Sequence, residues 1–104
     1  MRVVAGCAAA LGDITWPIVR DKVDAIVPVT EQGILTAMQL LVDKAKLVVE
    51  PSGAAALAAV LSEQFAEQFG SLKKVAVVIS GGNVDLERVQ FWQQWGACAG
   101  VEFR

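Results

Sequence analysis

Apolar positions change their spacing along this chain, and the spacing predicts the elements. Ile34, Leu35, Met38, Leu41 and Val42 recur at intervals that put them on one face of a helix. Thr30 precedes that helix as an N-cap, and Glu31 in its first turn suits the positive end of the helix dipole. The helix is expected to end near Ala45 or Leu47, because Glu50 precedes Pro51 and is biased away from helical angles. Ser52 reads as the next N-cap, followed by one long helix, "GAAALAAVLSEQFAEQF", closed by Gly70. Its first half, Ala54 to Leu61, is apolar on every side, the pattern of a helix buried all round. Upstream, "DITWPIVRDKV" predicts a helix with Thr15 as N-cap and Pro17 in the first turn, where its missing N–H costs nothing.

The strands are fewer. "DAIVPVT" reads as a strand, and Pro28 makes it an edge or interrupted one. Val75 to Ile79 is an unbroken apolar run, the mark of a strand covered on both faces. It leads into Ser80-Gly81-Gly82-Asn83, after which a helix is expected from Val84 or Asp85 to about Trp95. Residues 1–11 read as a loop or fraying helix. The order helix–strand–helix–helix–strand–helix is an α/β pattern. Two strands do not make an independently stable sheet, and the all-apolar helix needs neighbours on every side. The pattern therefore predicts one partial domain over residues 1–104, belonging to a larger body.

Composition sharpens that picture. Apolar residues make up 55% of the 104 residues and charged residues 19%, against a usual apolar share of about 45–50%. Mean hydropathy is +0.50. A small body has little interior in which to hide such an excess. The net charge of -2 and scattered lysines give nucleic acid no electrostatic footprint. Histidine is absent, so no Ser-His-Asp or Cys-His set can form. Cys7 and Cys98 are too few for a zinc site; they read as free thiols in a reducing compartment, with a disulfide left open. The start, "MRVVAGCAAALG", only faintly imitates a secretion signal, and no apolar run reaches the ~18–20 residues of a membrane span. A cytoplasmic protein without a membrane or nucleic-acid partner is expected.

Two stretches could carry chemistry. Ser80-Gly81-Gly82-Asn83 stands at the carboxyl end of a predicted strand, where ligands bind in open α/β sheets. Glycines there admit close approach to the backbone; a plain tight turn would read the same way. Glu50 lies between an apolar run and a buried helix, where a carboxylate needs a partner. Lys46, four residues earlier, is the candidate partner; a solvent-facing glutamate is the alternative. Without further information a small, non-catalytic α/β binding module also fits. So does an interaction piece docking through Phe91, Trp92 and Trp95.

These stretches carry a resemblance. "ITWPIVRDKVDAIVPVTEQGI", "KLVVEPSGAAALAAVLS" and "VVISGGNVDL" resemble the C-terminal part of the serine racemase and threonine (serine) ammonia-lyase family of pyridoxal-phosphate enzymes, over roughly residues 8–90. The resemblance implies a fold type II, tryptophan-synthase-β-like α/β domain, with helices around a few parallel strands. It implies an amino-acid lyase (dehydratase) or isomerase acting on serine-like or threonine-like substrates, and a homo-oligomer. By the motif, Ser80 faces the pyridine nitrogen of the cofactor, Gly81 and Gly82 let ring and backbone come close, and Glu50 supports the pocket. In the serine racemase branch a nucleotide effector, ATP, binds at a subunit interface, and Mg is a further effector; the matched effector positions are Lys46 and Asn83. Several family features are missing here: the lysine that carries the cofactor, the serine on the opposite face of the substrate, the glycine-rich phosphate cup and the acidic cation ligands. Val4-Ala5-Gly6 stands where the family has Ala-Asp-Gly, and the tail, residues 91–104, matches nothing. The resemblance thus implies a fragment that lacks catalytic and metal residues of its own and needs the missing N-terminal portion of the enzyme for activity.

Overall fold

In the computed structural model, which describes Val3–Val4 and residues 12–85, two helices packed face to face form the main core. Helix α1 (Trp16–Lys22) starts on a turn in which the amides of Thr15 and Trp16 both donate to the Gly12 carbonyl. Thr15 does not cap it. Its hydroxyl donates back to Gly12 O at 3.1 Å, so the oxygen is turned away from the helix amides. Pro17 occupies the first turn, where its missing N–H leaves no bond unmade.

Residues Ala25–Ile26 (β2) pair in parallel with Val3–Val4 (β1), Val3 opposite Ala25 and Val4 opposite Ile26. The predicted strand over residues 24–30 is thus much shorter, because Pro28 cannot donate a ladder bond. Its partner comes from the stretch read as a loop or fraying helix.

Helix α2 (Glu31–Leu40) begins as expected: Thr30 Oγ1 accepts the Gly33 amide at 3.0 Å. It runs into one π-helical turn, Leu41–Ala45, and ends at Lys46 in the left-handed region, φ 58° and ψ 33°. The wider turn rotates the apolar face. Ile34, Met38 and Leu41 are buried, whereas Val42 is exposed.

Helix α3 (Pro51–Val60) begins two residues earlier than predicted. Glu50 is the N-cap residue and Pro51 the first helical one, the position at which proline is pre-organised. Ser52 therefore lies inside the helix and does not cap it. The long helix expected over residues 53–69 is two helices. Ser62 caps α4 (Glu63–Phe69), accepting the Phe65 amide at 3.1 Å and donating to Ala59 O at 2.7 Å. The alanines of α3 make close packing possible: Ala54, Ala55 and Ala58 meet Ile34, Ala37, Met38 and Leu41, with Val49 beside them. A second cluster joins Val27, Ala59 and Phe65, with Phe69 tilted against Phe65 at a 5.2 Å ring separation.

Val75–Ile79, predicted as a strand, makes no ladder bonds among the described residues. A strand exists by pairing, and none of the described segments pairs with this one. Ile79 packs against the main core while Val75 and Val78 stay exposed. Val84 and Asp85 are not helical. The rest of the predicted last helix, the Phe91, Trp92 and Trp95 cluster, the tail, Cys7 and Cys98 lie outside the described residues. No helix among the described residues is long and apolar enough to cross a membrane.

Candidate functional site

The two stretches singled out in the sequence, 33 residues apart, meet in space. Glu50 joins them. Its position follows from local rules: an extended backbone (φ -73°, ψ 161°) before Pro51 turns the residue outward at the start of α3, and its carbonyl accepts the Ala54 amide at 3.1 Å. The half-buried side chain does not fold onto its own helix. One carboxylate oxygen, Oε2, accepts the backbone N–H of Asn83 at 3.0 Å. The other, Oε1, accepts the Ser52 hydroxyl at 2.6 Å. The backbone amide of Glu50 donates to Gly81 O at 3.1 Å. One residue thus holds the 80–83 turn through both main chain and side chain. Hydrogen bonds to a charged acceptor are the stronger kind.

Glycines make this approach possible. A Cβ on Gly53 would stand 2.9 Å from the Gly81 nitrogen and 2.8 Å from a Val49 methyl, closer than real Cβ atoms come. A Cβ on Gly81 would run into the Glu50 carboxylate, with the carboxylate carbon 2.7 Å away. A Cβ on Gly82 would lie 3.0 Å from Val48 O. The turn closes further on itself, Val84 N donating to Gly82 O at 2.9 Å. Ser80 enters this turn from the partly buried Ile79. It is exposed, and its hydroxyl has no partner among the described residues.

The partner expected for Glu50 is corrected. Lys46 does not pair with it; its ammonium donates to the Asp43 carbonyl at 2.6 Å, at the negative end of the preceding helix. The left-handed backbone at Lys46 turns the chain there, and the donors to Glu50 come from Ser52 and Asn83 instead. Asn83 spends its backbone N–H on this network. Nearby, Lys44 hydrogen-bonds the Asp43 carboxyl and holds it below its ordinary range, in a fully exposed pair. Among the described residues no group of three or more His, Cys, Asp or Glu could hold a metal ion.

The sequence named Glu50, Ser80, Gly81, Gly82 and Asn83; it missed Ser52 and Gly53 as members of the same site. The signal lay in their place two and three residues after Glu50, at the start of a helix, where a side chain and a bare Cα face the N-terminal turn.

Comparison with known proteins gives this geometry a context. The family described as "Pyridoxal-phosphate dependent enzyme" matches residues 3–81. A serine racemase of Arabidopsis thaliana is 48% identical over 86 residues, 81% of this chain and 26% of the relative. The solved structure of maize serine racemase superposes with a TM-score of 0.71 at 42% identity, over 85% of this chain and 28% of that one. A T.th. threonine deaminase gives a TM-score of 0.61 at 46% identity, over 72% of this chain and 26% of that one. This chain spans about a quarter of the length of the curated relatives it matches.

Proposed function

This chain belongs to the pyridoxal-phosphate dependent enzymes of fold type II, and on that premise we propose that it forms the pyridine-nitrogen side of the cofactor pocket. It would do so as the C-terminal part of a serine racemase or a serine/threonine ammonia-lyase. The substrates would be serine-like or threonine-like amino acids.

One observation carries the reading: the 80–83 turn is held by Glu50 and Gly53, and the Ser80 hydroxyl has no partner among the described residues. The donor set fits the group. A hydroxyl donates one hydrogen bond to an aromatic nitrogen, and it carries no charge that would fix a proton there. Bound pyridoxal phosphate supplies an electron sink for reaction at an amino-acid α-carbon. The residues of this chain do the positioning. Ser80 would donate to the ring nitrogen, Gly81 and Gly82 would keep the adjoining backbone low, and Glu50 would hold the turn without touching the reacting atoms.

The same reading makes Lys46 and Asn83 contacts of a nucleotide effector such as ATP at a subunit interface, with Mg held by residues elsewhere in a homo-oligomeric, cytoplasmic enzyme. The side-chain amide of Asn83 is available for this, since the turn uses its backbone N–H.

The test is made on Ser80 in the protein at its full natural length. Ser80→Ala removes the donor, and cofactor affinity falls by the equivalent of about 1–3 kcal/mol if the nitrogen is left buried and unpaired. Ser80→Asp places a negative charge beside the nitrogen and favours its protonated form, which shifts the absorbance of the bound cofactor. Unchanged affinity, absorbance and turnover in both variants would remove Ser80 from the ring.

A further inference from the structure

The Glu50 carboxylate and the bare Cα of Gly81 occupy the same few ångströms. A Cβ at residue 81 would meet both Cδ, at 2.7 Å, and Cγ, at 3.3 Å, of Glu50. That carboxylate is not free to step aside. Oε1 is tied to Ser52 on helix α3, and Oε2 to the Asn83 amide on the turn. The main chain is committed too, through Glu50 N to Gly81 O. We infer that Glu50 is the positioning residue of the 80–83 turn, and that Gly81 is a glycine to make room for its carboxylate.

The physical chain is short. Pro51 and the start of α3 fix where the Glu50 backbone leaves the helix. The Ser52 hydroxyl, at 2.6 Å, selects the rotamer by fixing one oxygen. The second oxygen then faces the turn and captures Asn83 N–H. Gly53 lets the Gly81 backbone settle on the helix start, where a Cβ would prevent it. Ser80 is placed because the residues after it are pinned. Lys46 takes no part in this arrangement, its ammonium being held at Asp43 O.

The geometry makes a specific demand: Glu50 and Gly81 act as one unit, so their substitutions cannot add. Gly81→Ala expels the carboxylate and loses the Asn83 bond. Glu50→Ala loses the same bond from the other side. With the carboxylate gone, the methyl at residue 81 has space, and the double variant is no worse than the worse single one. Glu50→Gln keeps one acceptor oxygen of the same reach and retains most of the protection. Glu50→Asp is one methylene too short to serve both donors.

The experiment is hydrogen exchange of the Asn83 amide in the protein at its full natural length, on the parent, Glu50→Ala, Gly81→Ala, the double variant and Glu50→Gln. Exchange is expected to speed up by roughly tenfold to a hundredfold in both single alanine variants, the loss of one bond to a charged acceptor. The double variant should match the larger single effect, and Glu50→Gln should stay near the parent. Ser52→Ala, which leaves the Asn83 contact in place but frees the rotamer, should give an intermediate rate. Additive effects, or an Asn83 amide indifferent to Glu50, would overturn the inference. A globally unfolded variant is recognised by exchange in helix α2, which must stay slow in each protein compared; Glu50→Gln against Glu50→Asp then carries the test alone. The consequence for the cofactor rests on the proposed role of Ser80, and cofactor affinity is measured in parallel. If the turn loosens as expected while affinity stays unchanged, the clamp stands and the role of Ser80 falls.

Discussion

Lys46 adopts a backbone that L-residues avoid, φ 58° and ψ 33°, at the end of the π-helical turn. The left-handed form costs roughly 1–2 kcal/mol per residue outside glycine. Lys46→Gly is therefore expected to keep stability within about 1 kcal/mol of the parent, the relieved strain offsetting the added chain entropy. Lys46→Val, with a branched Cβ in the same backbone, loses about 1–2 kcal/mol. Urea unfolding of the three proteins checks this, and equal midpoints would show that the strain is not stored there. The glycine variant also separates the two roles of this position, since it removes the ammonium proposed to meet a nucleotide while sparing the fold. Gly53 is the opposite case. It has an ordinary helical backbone, and what forbids a side chain is the Gly81 main chain pressed against it. Gly53→Ala is expected to cost about 1–3 kcal/mol in the same measurement. The backbone on the other side cannot rotate away as a flexible side chain would.

At the scale of elements, the helix starts are set by side-chain oxygens. Thr30 and Ser62 each accept the amide three residues on, satisfying one of the donors a helix start leaves open. Thr30→Ala and Ser62→Ala should each lower stability by about 1 kcal/mol, and Ser62→Gly by only a few tenths. Thermal unfolding would show it; an unchanged Ser62→Ala midpoint would mean that α4 is held by Phe65 packing alone. Ser62 also shows how a local signal is masked. "LSEQF" holds a cap residue followed by an acid, but the apolar residues before it and the alanine-rich run suggest an uninterrupted helix. The structure breaks there because Ser62 bonds Ala59 O behind it and Phe65 N ahead of it.

The whole molecule leaves large apolar side chains in solvent: Ile14, Ile18, Val48 and Val78 are all more than half exposed, Val78 at 75%. Scattered single residues need no explanation, but Val75 and Val78 belong to one continuous run that makes no ladder bonds among the described residues. The 104-residue chain expressed by itself is expected to associate and to bind a hydrophobic dye. Sedimentation and dye fluorescence test this. A cooperative monomer that ignores the dye would show that the run is covered within the chain. Co-expression with the remaining three quarters of a relative should suppress the association if the uncovered face belongs against the rest of such an enzyme.

The sequence by itself determined helices α1 and α2, the burial of Ala54, Ala55, Ala58 and Ala59, the family, and the residue types of the candidate site; Leu61, expected to be buried with those alanines, is 52% exposed at the end of its helix. Those properties are local. Helical spacing, a proline in the first turn, a threonine cap and short motifs are written in consecutive residues. Tertiary structure decided what depends on distance along the chain. Whether Val75–Ile79 is a strand rests on a neighbour, because ladder bonds are made between segments and not within one. Val3–Val4 is a strand because Ala25–Ile26 lies beside it. Lys46 was the nearer partner for Glu50 in sequence, but a left-handed residue turned it to Asp43 and a turn 33 residues away supplied the donor. Gly81 carries the same lesson. Read along the chain it is space for a ligand; in the fold a side chain there would also run into a carboxylate of the protein itself.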